Sequence, residues 1–146
     1  MRTRSLAAAL VPVLLTPAPA LAGPEAVVSE WLVEARSKIP QLDTATLKEW
    51  VESDRGFTLL DVRLPKEREA GGSIDPFREV DIPRGYLEFK GPDKLPDTEA
   101  TIVVYCGSGK RSLLAARTLQ RMGYTDVTNY ADGLKAWKKA GHSVAP

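Results

Sequence analysis

The chain of 146 residues has one cysteine, one histidine and two methionines, and aromatic residues make up only 7% of it. One cysteine cannot close an intrachain disulfide. One Cys with one His cannot supply a zinc site built from those ligands. A dominant charge is also missing: 20 Lys and Arg stand against 19 Asp and Glu, a formal net of +1. Without a large positive field, nucleic acid is not an expected partner. No apolar run approaches the ~20 residues that cross a bilayer. What is present suffices for a core: 43% of residues are hydrophobic and three are tryptophan. That composition excludes a disordered chain, and the length suits one domain without disulfide staples.

The first 22 residues have the order of an export signal. Arg2 and Arg4 make a basic start, Leu6 to Leu15 is apolar apart from Pro12, and Ala20-Leu21-Ala22 is a small-x-small cleavage site. Such a segment is expected to be removed. It is too short for an anchor, and no cysteine follows it to carry a lipid. The expected product is exported, periplasmic if the source is a Gram-negative bacterium, with no membrane association after cleavage. A lone thiol in an oxidising compartment has to be buried or used. Cys106 is therefore the first residue to explain.

The rest divides into an amphipathic helix extension at 23–39 and one domain at 40–146. Val27, Val28, Trp31, Leu32, Ala35 and Ile39 recur at helical spacing and should pack on the domain, and Pro40 stops that helix. Asp43 caps a helix over about 44–53, with Leu42 and Leu47 as a staple and Gly56 at its close. Phe57 to Val62 is an apolar strand. Residues 64–70 form a short helix opened by Pro65. Residues 71–100 are rich in Gly and Pro and read as loop, with a brief strand at Val80–Ile82 and a helical turn over Tyr86–Phe89. Thr101 to Tyr105 is an uncharged, central strand. A helix follows over Leu113–Met122, with Gly123 as its left-handed cap. Val127 to Tyr130 is the last strand. Asp132 caps a final helix at 133–140 that buries Leu134 and Trp137 and ends at Gly141. Trp31, Trp50 and Trp137 fit apolar helix stripes and are expected in the core. Alternation of strands and helices indicates an α/β fold with a parallel sheet covered on both faces.

Chemistry concentrates around Cys106. Its order is buried strand, glycine-rich turn, helix, which puts the thiol at the carboxyl end of a parallel sheet, where ligands bind. Gly107, Ser108 and Gly109 let successive backbone N–H groups turn inward as an anion nest. The following helix adds its positive end, and Lys110 and Arg111 add two charges. Each feature favours thiolate, and cysteines so placed have pKa values of about 3.5–7.5. The same features collect an anionic substrate. The alternative is an inert buried cysteine before an ordinary turn. The loop is neither a dinucleotide fingerprint nor a Walker loop, because its glycines and Gly-Lys-Arg-Ser ending do not match. Asp61 and Arg63 follow the first strand and should reach the same sheet edge. Asp61 either orients the loop or Arg111, or joins an internal ion pair. Arg63 either adds to the anion field or pairs internally, for example with Glu69. His142 lies near the terminus and is expected on the surface, away from the thiol.

The segments Asp61-Val62-Arg63, Glu69, Gly72-Ser73-Ile74, Ile82-Pro83-Arg84-Gly85, Val103 to Ser112, Gly123-Tyr124 and Gly133 to Trp137 together resemble a single-domain rhodanese of the exported kind. The likeness runs from about Pro40 to Gly141. It implies an α/β fold around a central parallel sheet of about five strands with helices on both faces. It also implies sulfur transfer through a persulfide on Cys106. Thiosulfate is a common donor, and cyanide or a thiol, a protein thiol included, is the acceptor. No cofactor is implied. On this reading Cys106 is the nucleophile. Arg111 and Lys110 hold the donor's anionic group with the loop N–H groups of Gly107, Ser108 and Gly109, and Asp61 and Arg63 support the same site. Gly72-Ser73-Ile74-Asp75-Pro76-Phe77 departs from the family's Gly-His-Ile-Pro-Gly-Ala, and the helix at 26–39 lies outside the family core. Two alternatives are a non-catalytic persulfide carrier and a phosphatase or arsenate reductase of the related fold. The latter have five residues between Cys and Arg. Here four separate Cys106 from Arg111, leaving a pocket better sized for one sulfur atom on the cysteine.

Overall fold

The computed structural model describes residues 23–146, and the expected export signal at 1–22 lies outside the described residues. Helix α1 (Pro24–Lys38) has Pro24 in its first turn, where a missing N–H costs nothing, and ends just before Pro40. Asp43 caps α2 (Thr44–Glu52), its carboxylate accepting the Thr46 N–H at 2.8 Å. That helix ends at Glu52, before the expected Gly56. Strand β2 (Thr58–Asp61) leads to α3 (Pro65–Gly71), opened by Pro65 as expected. Strand β3 (Glu79–Asp81) lies within one residue of its expected position. Strand β4 (Ile102–Tyr105), α5 (Lys110–Arg121), β5 (Val127–Tyr130) and α6 (Gly133–Lys139) complete the pattern. Gly123 and Gly141 take positive φ where helices α5 and α6 end.

A two-residue strand, β1 (Gln41–Leu42), joins these through its pairing with β5. The sheet has five strands in the order β1-β5-β4-β2-β3, every neighbouring pair parallel. Uncharged β4 is central and wholly buried. Alternate residues divide the core. Leu60, Val62, Ile102 and Val104 pack with Ala35, Ile39, Leu87, Leu113, Ala116 and Leu119 on one face. Leu59, Val103 and Tyr105 pack with Leu47, Tyr130, Leu134 and Trp137 on the other. Helices α1 and α5 thus cover one face, and α2 and α6 the opposite one. Each large aliphatic side chain so buried contributes about 1.5–3 kcal/mol.

Three expectations are corrected. The helical turn expected at Tyr86–Phe89 is longer: a 3-10 turn (Arg84–Tyr86) runs into α4 (Leu87–Lys94). Pro92 is tolerated inside α4 because the carbonyl it fails to engage belongs to exposed Glu88. Trp31 is 58% exposed rather than in the core. Helix α1 seats on the domain through buried Ala35 and Ile39 and through a Glu34–Arg117 ion pair, and Trp31 lies a turn nearer its outer end. Trp50 is half-buried against Phe57, and Trp137 is buried. Asp132 stands at the start of α6 but makes no side-chain cap there. Its carboxylate crosses to the start of α2 and accepts the Thr44 N–H at 2.9 Å and the Thr44 hydroxyl at 2.8 Å.

Candidate active site

Asp132 is released because the first N–H groups of α6 are already taken. The Leu134 N–H donates to the Cys106 carbonyl at 2.9 Å, and the Lys135 N–H to the Gly107 carbonyl at 3.1 Å. With its carbonyls held by α6, the loop turns its N–H groups the other way, toward the thiol. Gly109 makes the turn possible. It has φ +81, and a Cβ there would lie 1.9 Å from the Ala131 carbonyl oxygen. The Gly109 carbonyl in turn accepts from the Asn129 amide at 3.3 Å.

Cys106 is fully buried at the end of β4. Burial pushes its thiol pKa up. Hydrogen bonds from the Ser112 hydroxyl and from the backbone N–H groups of Ser108, Ser112 and Gly109 more than offset this, so the thiol titrates below its ordinary range. The Ser112 Oγ donates to Sγ at 3.5 Å. The backbone donors that bear on Sγ stand at 108, 109 and 112. Ser112 was not singled out from the sequence, although a polar residue at a buried α5 position was a signal for it. Gly107 is half-buried, while Ser108 and Lys110 are exposed.

Arg111 does not point freely into the site. Its guanidinium makes a two-pronged contact with Glu67 of α3, Nη2 to Oε1 at 2.6 Å and Nη1 to Oε2 at 2.7 Å. The Arg111 fork beside it holds the Glu67 carboxyl well down, at about 2. Neither Asp61 nor Glu69 plays this part. Asp61 and Arg63 are both buried and bind each other, Nη2 to Oδ2 at 2.6 Å. Arg63 thus pairs internally, but with Asp61 rather than Glu69. Its other donors reach the Gly72 carbonyl at 2.7 Å and the Glu67 carbonyl at 3.3 Å. Arg68 bridges Asp61 and Glu79, and the Tyr105 hydroxyl donates to Glu79 at 2.7 Å. This buried network clamps α3 to the sheet edge and so fixes Glu67 opposite Arg111. The unusual segment after Gly72 is part of the clamp, because Ser73 bonds Glu79 and pairs with Ala145. Phe77 is almost wholly exposed, and the His142 ring lies tilted against Trp137 with centroids 4.6 Å apart.

Beside the loop lies a depression of about 300 Å³, lined by Ala70, Gly71, Gly107 and Leu134 and by the charged Arg63, Glu67, Lys135 and Lys138. A groove of about 320 Å³ between α1 and α5, walled by Trp31 and Leu114, includes none of the loop residues. The site can hold a thiolate and an added sulfur atom against convergent N–H donors.

The rhodanese-like domain profile matches residues 43–140. Over 104 residues the chain is 35% identical to "Putative sulfur carrier protein YrkF" of Bacillus subtilis; the match covers 71% of this chain but only 54% of that protein, so the chain spans about half its length. A Rhodopseudomonas palustris protein of unknown function, described as a "Possible Tyrosine Phosphatase", superimposes with a TM-score of 0.73 at 33% identity, covering 88% of this chain and 98% of that one. The polysulfide-sulfur transferase homodimer of Wolinella succinogenes gives a TM-score of 0.69 at 27% identity, covering 82% and 88%. A five-stranded parallel sheet with this cysteine loop at its carboxyl edge, together with the match over residues 43–140, assigns the chain to the rhodanese-like domain family of sulfurtransferases and sulfur carriers.

Proposed function

We propose that this protein transfers sulfane sulfur from a donor, of which thiosulfate is the simplest, to cyanide or a thiol, through a persulfide on Cys106. The observation that carries the reading is the convergence of the Ser112 hydroxyl and the N–H groups of Ser108, Gly109 and Ser112 on a buried Sγ. The thiolate attacks the outer sulfur of thiosulfate, the S–S bond breaks, and sulfite leaves with the bonding pair. The same donors stabilise the charge on the persulfide, as an oxyanion hole would. An acceptor nucleophile then attacks the outer sulfur and restores the thiolate. No general base is required once the thiolate is formed, and the convergent donors favour that form. Lys110 and the positive end of α5 supply the local positive charge that draws an anionic donor to the loop, while Arg111 shares its charge with Glu67.

Incubation with thiosulfate should add one sulfur atom to the mass of the protein, and cyanide should remove it as thiocyanate. Cys106→Ser should do neither while keeping its fold. Loading without turnover by cyanide or thiols would identify a carrier. Release of phosphate from phosphate esters would replace this reading with the phosphatase one. The proposal includes export: material recovered outside the cytoplasm should begin at Gly23, and retention of Arg2 would overturn that part.

A further inference from the structure

Strand β5 lies between β1 and β4 and is buried along its whole length, where apolar side chains are expected. Asn129 nevertheless stands in it, 1% exposed. Its amide nitrogen donates to the Gln41 side-chain oxygen at 2.9 Å and to the Gly109 carbonyl at 3.3 Å. Its amide oxygen accepts from no donor among the described residues. A buried polar atom without a partner is a net cost to stability, so stability does not account for an amide at this position. We propose that Asn129 is a positioning residue for the Cys106 thiol: by holding the Gly109 carbonyl it fixes the turn that aims the Gly109 and Ser112 N–H groups at Sγ. Its consequence for turnover rests on the sulfur-transfer reading of Cys106.

The Gly109 carbonyl is where β5 and α5 meet. It also accepts the Leu113 N–H at 3.1 Å, the first helical bond of α5. The N–H groups of Gly109 and Ser112 lie on either side of that carbonyl along the chain, and both bear on Sγ. A rotation of the peptide after Gly109 would move the start of α5 and carry both donors off the sulfur. Glycine has wide backbone freedom, so a turn at φ +81 needs a hold from outside itself. Strand β5 supplies it twice. The backbone of Ala131 sits directly against Gly109, and Asn129, two residues earlier and so on the same face of the strand, bonds its carbonyl.

The direction of the Asn129 amide is set in turn by Gln41 of β1. The Gln41 nitrogen donates to the Ile39 carbonyl at 2.7 Å, which leaves its oxygen for Asn129. Both atoms facing the Asn129 nitrogen are therefore acceptors, and a reversed amide would set oxygen against oxygen. Ile39 is the residue that ends α1. The relay thus runs from the end of α1 through Gln41 and Asn129 to the thiol turn, and its first two members precede the family match at residues 43–140.

The test reads the thiol by its rate of alkylation with iodoacetamide against pH, beside thermal unfolding and sulfur loading from thiosulfate. Asn129→Leu is close in size and removes the donor. It strands no group, because the Gly109 carbonyl keeps the Leu113 N–H and exposed Gln41 turns to solvent. Its unfolding midpoint should stay near that of the wild type or rise. Its alkylation midpoint should move about half a pH unit higher, since the donors it loosens favour the thiolate, and below that midpoint alkylation and loading should both slow about threefold. Asn129→Asp turns a charged oxygen toward the Gly109 carbonyl and should raise the alkylation midpoint further. Gln41→Ala frees the Asn129 amide to turn and should shift it in the same direction by less. An alkylation midpoint unchanged in Asn129→Leu would overturn the inference. Should that variant fail to fold, an unchanged midpoint in Gln41→Ala would overturn it instead. Alkylation needs no sulfur donor, so a wild-type Cys106 that takes sulfur from none would overturn the sulfur-transfer reading alone.

Discussion

Gly133 and Gly107 are in backbone contact: a Cβ at Gly133 would lie 2.7 Å from the Gly107 carbonyl carbon and oxygen, and 2.6 Å from the Ser108 nitrogen. This contact lets the start of α6 reach under the cysteine loop and hold its carbonyls. Gly133 also has φ +73, a conformation costly for any residue with a side chain. The cradle around Cys106 is thus built by two helices, α5 donating to the sulfur and α6 holding the loop from behind.

Gly133→Ala should therefore disturb the loop as well as the helix. Strain at positive φ and the steric overlap together should cost more than about 1 kcal/mol. Thermal unfolding should show a lowered midpoint, and sulfur loading of Cys106 should slow. Unchanged loading would mean that the α6 contact does not set the loop geometry.

Ser112→Ala removes the hydroxyl that donates to the Cys106 sulfur. A hydrogen bond to a charged group is worth about 1.5–3 kcal/mol, or roughly 1–2 pH units of thiol acidity. Because the native bonds lower the thiol pKa, their loss moves it upward. The rate of alkylation by iodoacetamide, followed against pH, should show a midpoint shifted to higher pH, with little change in the plateau. A shift downward, or none, would show that the Ser112 hydroxyl does not acidify the thiol.

These residues differ in how visible they were beforehand. Asp43, Pro65, Gly123 and Gly141 act on their own helix ends, so local chemistry revealed them. The thiol loop was legible for the same reason: a glycine turn between an uncharged strand and a helix has few other uses. Ser112 was not, because its aim at Sγ depends on how α5 packs against the end of β4, which no local pattern fixes. The partner of Arg111 was not either. Glu67, Glu69 and Asp61 are equivalent as charges in the sequence, and only the packing of α3 against the sheet edge selects Glu67. Asp132 stands where an N-cap belongs, yet its helix end is already occupied, and Thr44 claims the carboxylate from far along the chain.

The buried pair Asp61–Arg63 is the anchor of α3. Arg63→Met keeps much of the volume but leaves the Asp61 carboxylate with Arg68, the backbone N–H of residue 63 and a Tyr105 hydroxyl it shares with Glu79. Removing one partner of a buried ion pair typically costs about 3–5 kcal/mol. Chemical denaturation should show a loss in that range, and Asp61→Asn/Arg63→Met should be less destabilised than the sum of the single changes. Strict additivity would mean that the two side chains do not support each other.

Arg111→Ala tests the other side of the Glu67 contact. If Arg111 served only to hold a sulfonate, its loss would weaken thiosulfate use whatever stood at position 67. In the geometry observed, its loss does more, because it strips the Glu67 carboxylate of its counter-charge beside an incoming anion. Thiosulfate loading should then fall strongly in Arg111→Ala and recover in part in Glu67→Gln/Arg111→Ala, where the stranded charge is gone. Such coupling is expected only of residues in direct contact. A double variant as slow as Arg111→Ala, measured by the rate of sulfite release, would show that Arg111 binds the donor directly and that Glu67 merely braces it.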